Sequence, residues 1–281
     1  MTYVLAYIGQ ASFALRDECG LGLLEYRMFA YLADHVDGID PSPLARILQA
    51  SPASITIAAN KLADKGLVSR GGNGTSPRHL GITKTGVDIS RDADIVLASA
   101  HERYFSPLPP HLKATIDIGS IVTNQATPEN VRIRDGHFFS AFETLHAFLT
   151  VEHFLTSSTY ECGLSLSQFR VLFEIDRQGG TSRPGTLSHA LLLAPASIAH
   201  ALRGLEAAGY VIRTRPGADR RVSEISLTPA GRELYARALQ GVEGVFTTGI
   251  RESTRRERDV YKDAAMIMVS SLQKERGGVN P

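Results

Sequence analysis

Apolar positions recur at helical spacing through most of the chain. Between 136 and about 158, Phe138, Phe139, Phe142, Leu145, Phe148, Leu149, Val151 and Phe154 fall on one broad face, which predicts a long helix. Ser165 followed three residues later by Gln168 is a capping-box pattern, and it opens a helix through Phe169, Val171, Leu172 and Ile175. In that pattern each side chain satisfies the other residue's unbonded backbone N–H. Gly179-Gly180 ends the helix, because paired glycines punctuate helical patterns. A short helix over about 185–192 follows. Pro195 then opens another, at the first-turn position where a missing N–H costs nothing. That helix carries Ile198, Leu202 and Leu205 and stops at Gly209, a residue suited to the left-handed cap.

Beyond Gly209 the period changes. Tyr210 to Arg213 reads as a strand, Pro216-Gly217-Ala218-Asp219 as a turn, and Val222 to Leu227 as the return strand, with Ser223, Ile225 and Leu227 on one side. Thr228-Pro229 caps a long helix that buries Leu234, Ala238, Leu239, Val242 and Val245, and a last helix covers about 253–272.

The N-terminal half predicts the same order. Its helices fall near 3–17, 23–35, 42–50, 52–65, 85–104 and 110–123, with a hairpin between Leu67 and Thr83. The agreement extends to identity. Glu18-Cys19-Gly20-Leu21 recurs as Glu161-Cys162-Gly163-Leu164, and Pro52-Ala53-Ser54-Ile55 as Pro195-Ala196-Ser197-Ile198, both at an offset of 143. Without gaps, 18 of the 53 positions from 18 to 70 are identical across that offset. A single period of this length means two copies of a whole domain. The expected division is 1–125, a linker at 126–135 rich in Thr, Asn, Gln and Pro, and 136–281. The expected class is mainly α with small β wings (α+β).

Composition narrows the function classes. A chain of 281 residues that is 43% hydrophobic can hold two ordinary cores. A net charge of +1 gives no global argument for nucleic acid, so that case must rest on local patches. Two cysteines without close Cys or His spacing suggest neither a disulfide framework nor a zinc site. Met1-Thr2-Tyr3-Val4 lacks the basic start of a signal peptide, and the apolar runs are too short for a membrane helix, so a cytoplasmic protein is expected. No Gly-rich phosphate loop, HExxH or GxSxG is present, so an enzyme is not expected, nor is a cofactor.

A short helix, a turn, a second helix and a two-stranded wing form the winged helix-turn-helix layout. Gly163-Leu164-Ser165-Leu166-Ser167-Gln168-Phe169-Arg170-Val171-Leu172 resembles the second helix of MarR-family regulators. Leu205 to Arg213 also resembles that family. So does Asp219-Arg220-Arg221 in the wing, followed by Leu227-Thr228-Pro229-Ala230-Gly231. Copy one matches through Leu62 to Arg70 and through Ile82-Thr83-Lys84-Thr85-Gly86, but its wing holds Ser76-Pro77-Arg78. The resemblance implies a regulator that binds double-stranded DNA. Members of the family are typically homodimers with interleaved terminal helices, so a fused tandem implies a monomer acting as a pseudo-dimer, two winged domains joined by a helical body. Repression is the expected sign.

The candidate DNA contacts follow. On the recognition helices they are Ser54, Thr56, Asn60 and Lys61 in copy one and Ser197, His200 and Arg203 in copy two; Ala53, Ala196 and Ala199 share those faces. In the wings they are Arg70 and Arg78, and Arg213, Arg215, Arg220 and Arg221 with Asp219 as a shaping partner. Arg and Asn suit purine edges, and hairpin arginines suit phosphates and narrow minor grooves. The two reading helices differ, with Asn60 and Lys61 opposite Arg203 and Gly204, so an imperfect palindrome is expected, weighted toward copy two.

The resemblance further implies a small aromatic or acidic effector. Candidate linings are Tyr7, Phe13, Tyr26 and Arg27 in copy one, and His146, His153, Phe154, Phe169 and Arg170 in copy two; the bland alternative is an interface core. Arg27 and Arg170 could hold a carboxylate. Cys19 and Cys162 are repeat-equivalent and offer a thiol redox reading, although the adjacent Glu18 and Glu161 oppose a reactive thiolate. The alternative function is a sensor or interaction protein whose first head no longer binds DNA.

Overall fold

The computed structural model describes residues 1–35, 37–71, 79–125, 139–215, 223–250 and 255–277. The expected linker and the tips of both wings lie outside these residues. The architecture is mainly α with small antiparallel sheets, as expected. The first repeat contains α1 (Thr2–Cys19), α2 (Leu23–Asp34), α3 (Pro41–Ile47), α4 (Pro52–Asp64), β1 (Val68–Arg70), β2 (Leu80–Ile82), α5 (Lys84–Phe105) and α6 (Pro110–Gln125). The second contains α7 (Phe139–Glu161), α8 (Leu166–Arg177), β3 (Thr181–Ser182), α9 (Pro184–Leu191), α10 (Pro195–Ala207), β4 (Val211–Thr214), β5 (Glu224–Leu227), α11 (Pro229–Ile250) and α12 (Arg255–Gly277).

Each helix-turn-helix is followed by the same joint. Gly66 and Gly209 adopt φ of 69° and 74° and end α4 and α10; this left-handed conformation is cheap only for glycine. The chain then makes its hairpin and returns to a threonine. The Thr83 hydroxyl reaches the carbonyls of Gly66 and Leu67 at 2.9 and 3.1 Å, and its oxygen accepts the Gly86 N–H at 3.1 Å. Thr228 repeats this with the carbonyls of Gly209 and Tyr210 and the Gly231 N–H, at 2.8, 3.1 and 3.0 Å. A Cβ on Gly86 would collide with the Leu67 carbonyl oxygen, and one on Gly231 with that of Tyr210. The Thr-x-x-Gly motif thus caps a long helix and lets its first turn approach the backbone just beyond α4 or α10.

The wings hold one strand more than the alternation predicts. Thr181–Ser182 pairs with β5 on the side away from β4, and copy one has the matching bridge between Ile39 and Leu80. Two residues are too few to show a period of two. The core of the second head gathers Phe169, Leu172, Leu187, Ile198, Leu202 and Ile225 from α8, α9, α10 and β5. The capping box at α8 is formed, with Gln168 N–H donating to Ser165 Oγ at 3.2 Å and Ser165 N–H to Gln168 Oε1 at 2.9 Å.

The chain divides into two compact units. One is Val4–Thr150; the other is Met1–Tyr3 with Val151–Pro281. The division falls inside α7, so the first half of repeat two's opening helix belongs with repeat one. The first residues of α1 belong with repeat two in return.

Candidate nucleic-acid interface

In the second head, α9 and α10 turn through 118°, within the range of DNA-reading helix pairs. Their apolar faces, including Leu187, Leu191, Ile198 and Leu205, are buried in the head. Among the described residues no single helix is long and apolar enough to cross a membrane.

The exposed side of α10 carries Ala196, Ser197, His200, Arg203 and Gly204, with Ala199 half-buried. Ser197, His200 and Arg203 make no side-chain hydrogen bond or ion pair among the described residues. The neighbouring wing arginine is different. Arg213 Nε donates to Glu206 Oε1 at 2.8 Å, and its Nη1 reaches Ser223 Oγ at 3.1 Å. Arg213 therefore braces β4 against the end of α10, while Arg203 keeps its five donors for an external acceptor. Arg215 is exposed at the end of the described strand. Asp219, Arg220 and Arg221 lie outside the described residues, as do Asn73 and Arg78 of the first wing.

The first head uses the same positions in another way. Its exposed face is Ala53, Thr56, Ile57, Asn60 and Lys61, with Ser54 half-buried. Ser54 lies 2.8 Å from the Ser51 hydroxyl, and Thr56 Oγ1 donates to the Pro52 carbonyl at 2.9 Å. Asn60 Oδ1 accepts from Arg70 Nη2. Lys61 Nζ sits 2.6 Å from Glu25 Oε1, whose side chain is only 8% exposed. Every polar side chain proposed for base reading on α4 is thus bonded within the head.

Three contacts of the first head, two of them just described, involve repeat-equivalent positions that vary together. Glu25 corresponds to Gln168 and Lys61 to Gly204. A Cβ at Gly204 would lie 2.6 Å from Gln168 Nε2, so copy two packs an amide over a glycine where copy one forms an ion pair. Asn60 corresponds to Arg203, so the arginine of the wing's first strand loses its acceptor in copy two. Arg213 takes Glu206 instead, and the counterpart of Glu206 is Ala63. A third pair swaps its acidic and basic residue types: Asp40 and His79 Nδ1 are 3.4 Å apart in copy one, whereas Arg183 Nη2 meets Glu224 Oε1 at 3.2 Å in copy two. This last pair ties the return strand to the start of α3 or α9. The sequence reading missed it, although the swapped acidic and basic residue types at equivalent positions were visible.

The effector candidates scatter. Phe13 is 70% exposed and Phe154 45% exposed, and His153 packs edge-on to Phe154 with centroids 5.9 Å apart. Tyr7 and Tyr26 are buried; Tyr7 donates to the Ala141 carbonyl at 3.2 Å, and Tyr26 to Asp94 Oδ1 at 2.8 Å. Phe169 belongs to the core with Phe173 and Tyr235. Arg170 is buried; its Nη2 donates to the Leu191 carbonyl at 2.5 Å, and its Nε has no partner among the described residues. Arg27 Nε also lacks one, and burial lowers the pKa of each guanidinium to about 10, leaving both charged at neutral pH. Arg27 and His146 come from different repeats yet share the unit Val4–Thr150. Burial, helped by the Arg27 charge, lowers the His146 pKa to about 4, so it is neutral beside that cation.

Both cysteines are free and half-buried. Burial, Glu18 and Asp92 push the Cys19 thiol up, which holds it protonated.

The MarR family model matches residues 163–222, from the turn before α8 into the second wing. No curated protein matches the chain. Similar solved structures include the organohalide-sensing RdhR regulator bound to 2,4-dichlorophenol, at 20% identity over 52% of this chain and 88% of that one, TM-score 0.43. NadR in complex with 4-hydroxyphenylacetate is 19% identical over 51% and 98%, TM-score 0.42. A MarR-family regulator from Rhodococcus sp. RHA1 is 22% identical over 44% and 88%, TM-score 0.39.

Proposed function

We propose, from a chain whose second head is a MarR-family winged helix, that one polypeptide binds double-stranded DNA as an intramolecular pseudo-dimer and represses transcription in the cytoplasm. The observation that carries this reading is the exposed face of α10. Ser197, His200 and Arg203 stand unspent on the second helix of a 118° pair, beside a braced wing strand. Unbonded donors on such a face match what base edges in the major groove accept. Head one supplies the second half-site contact with a less polar surface, so the operator is an imperfect palindrome. The wing residues Arg78, Arg215, Arg220 and Arg221 contribute phosphate or minor-groove contacts, with Asp219 shaping the second tip. The buried Arg27 cation beside neutral His146 supports release by a small acidic effector in the unit Val4–Thr150.

The direct test is fluorescence anisotropy of the full chain with duplexes tiling the DNA that flanks its own gene, at 150 mM salt. One duplex should bind far more tightly than the rest, with two protected segments about one helical turn apart in footprinting. Uniform weak binding to every duplex would sink the proposal. Protection of a single segment would favour the other reading, in which head one is a sensor module.

A further inference from the structure

We propose that head one reads its half-site through Ile57, which packs on the C5-methyl group of a thymine in the major groove. The inference rests on the DNA-binding reading above and names the recognition chemistry of its less polar half. Ile57 lies in the second turn of α4 and is 68% exposed, though isoleucine is among the residues most often buried. It is surrounded on its face by groups already used: the Ser54 hydroxyl by Ser51, the Thr56 hydroxyl by Pro52, Asn60 by Arg70 and Lys61 by Glu25. Of the exposed residues on this face, Ala53 and Ile57 are the two whose side chains carry no polar atom. The thymine methyl is the one apolar feature among the base edges of the major groove. A face of this kind therefore selects thymine by burial of methyl against methyl, not by hydrogen bonds. The repeat supports the assignment, since the equivalent of Ile57 is His200, also exposed on its recognition helix. The two heads thus present different chemistry at one position, and the two half-sites must differ there.

Demethylation of single thymines isolates the contact. A 30-base-pair duplex selected from a random library against the full chain serves as the probe, and each thymine in turn is replaced by deoxyuridine, which removes only the methyl group. One replacement should weaken binding roughly four-fold, the expected loss for one buried methyl-sized group. Ile57→Ala should weaken binding to the unmodified duplex by a similar factor and should be indifferent to that replacement. Arg203→Ala marks the half-site under head two by relaxing base preference there, and the Ile57-dependent thymine must lie in the other half. If the selected duplex binds but no thymine depends on Ile57, or the dependent thymine lies in the half marked by Arg203, this inference is overturned while the DNA-binding reading stands. If no duplex is enriched, both fall. Ile57 is mostly exposed, so the alanine variant should fold normally, and an unchanged circular dichroism melt verifies that.

Discussion

At the residue scale, position alone does not separate a base-reading cation from a structural one. Lys61 and Arg203 both face out, from α4 and α10, but Lys61 is held by a nearly buried carboxylate and Arg203 is not. Among the described residues, replacing Lys61 leaves Glu25 with the Gly22 N–H, at 2.9 Å, as its remaining partner. Lys61→Ala should therefore cost about 1 kcal/mol of stability, since the lysine is itself half-exposed and solvent screens the pair. Its effect on DNA affinity should be small. Arg203→Ala should do the reverse, leaving the urea midpoint unchanged and costing about 1–3 kcal/mol of binding at one half-site. Chemical denaturation and anisotropy on the two variants check this. Equal binding losses for both would show that the Lys61–Glu25 pair opens on DNA. The pairing is between residues 36 positions apart, so no local pattern could have exposed it. Ile57 was also missed, because apolar residues on a helix are first assigned to the core. Its signal was the gapless repeat, which sets Ile57 against a histidine.

At the element scale, the joint behind each recognition helix is the most sequence-legible part of the fold. A threonine before a helix start, with glycine three residues later, implies an N-cap. What the motif alone does not give is the reason for glycine. Gly231 is not there for backbone freedom; its missing Cβ makes room for the Tyr210 carbonyl. Gly231→Ala should therefore lower stability by roughly 2–3 kcal/mol, because that obstacle is backbone and cannot rotate aside. Thr228→Ala should cost about 1 kcal/mol as an ordinary cap loss. Urea unfolding followed by circular dichroism measures both. A Gly231→Ala variant as stable as the parent would mean that α11 can shift away from β4 without loss. The short strand β3 was not legible, since two residues carry no periodicity and their pairing is decided by where β5 lies.

At the scale of the whole molecule, the duplication is matched by an exchange. The first half of α7 belongs with repeat one, and Met1–Tyr3 with repeat two. For the proposed pseudo-dimer, light scattering without DNA should give roughly 30 kDa at every dilution, in line with the 30.4 kDa chain mass. A stable species of about twice that mass would mean that each repeat pairs across two chains. The sequence by itself determined the repeat, the helical and hairpin order of each copy, the caps and the turn glycines, because these depend on periodicity and on neighbours within a few residues. It also marked the exposed faces of α4 and α10. Only the tertiary structure decided which polar groups on those faces are already spent, that Arg27 shares a unit with His146, and that the boundary between the units falls inside a helix. Those outcomes depend on residues far apart in the chain meeting through space, where one acceptor can satisfy only the donors that packing brings to it.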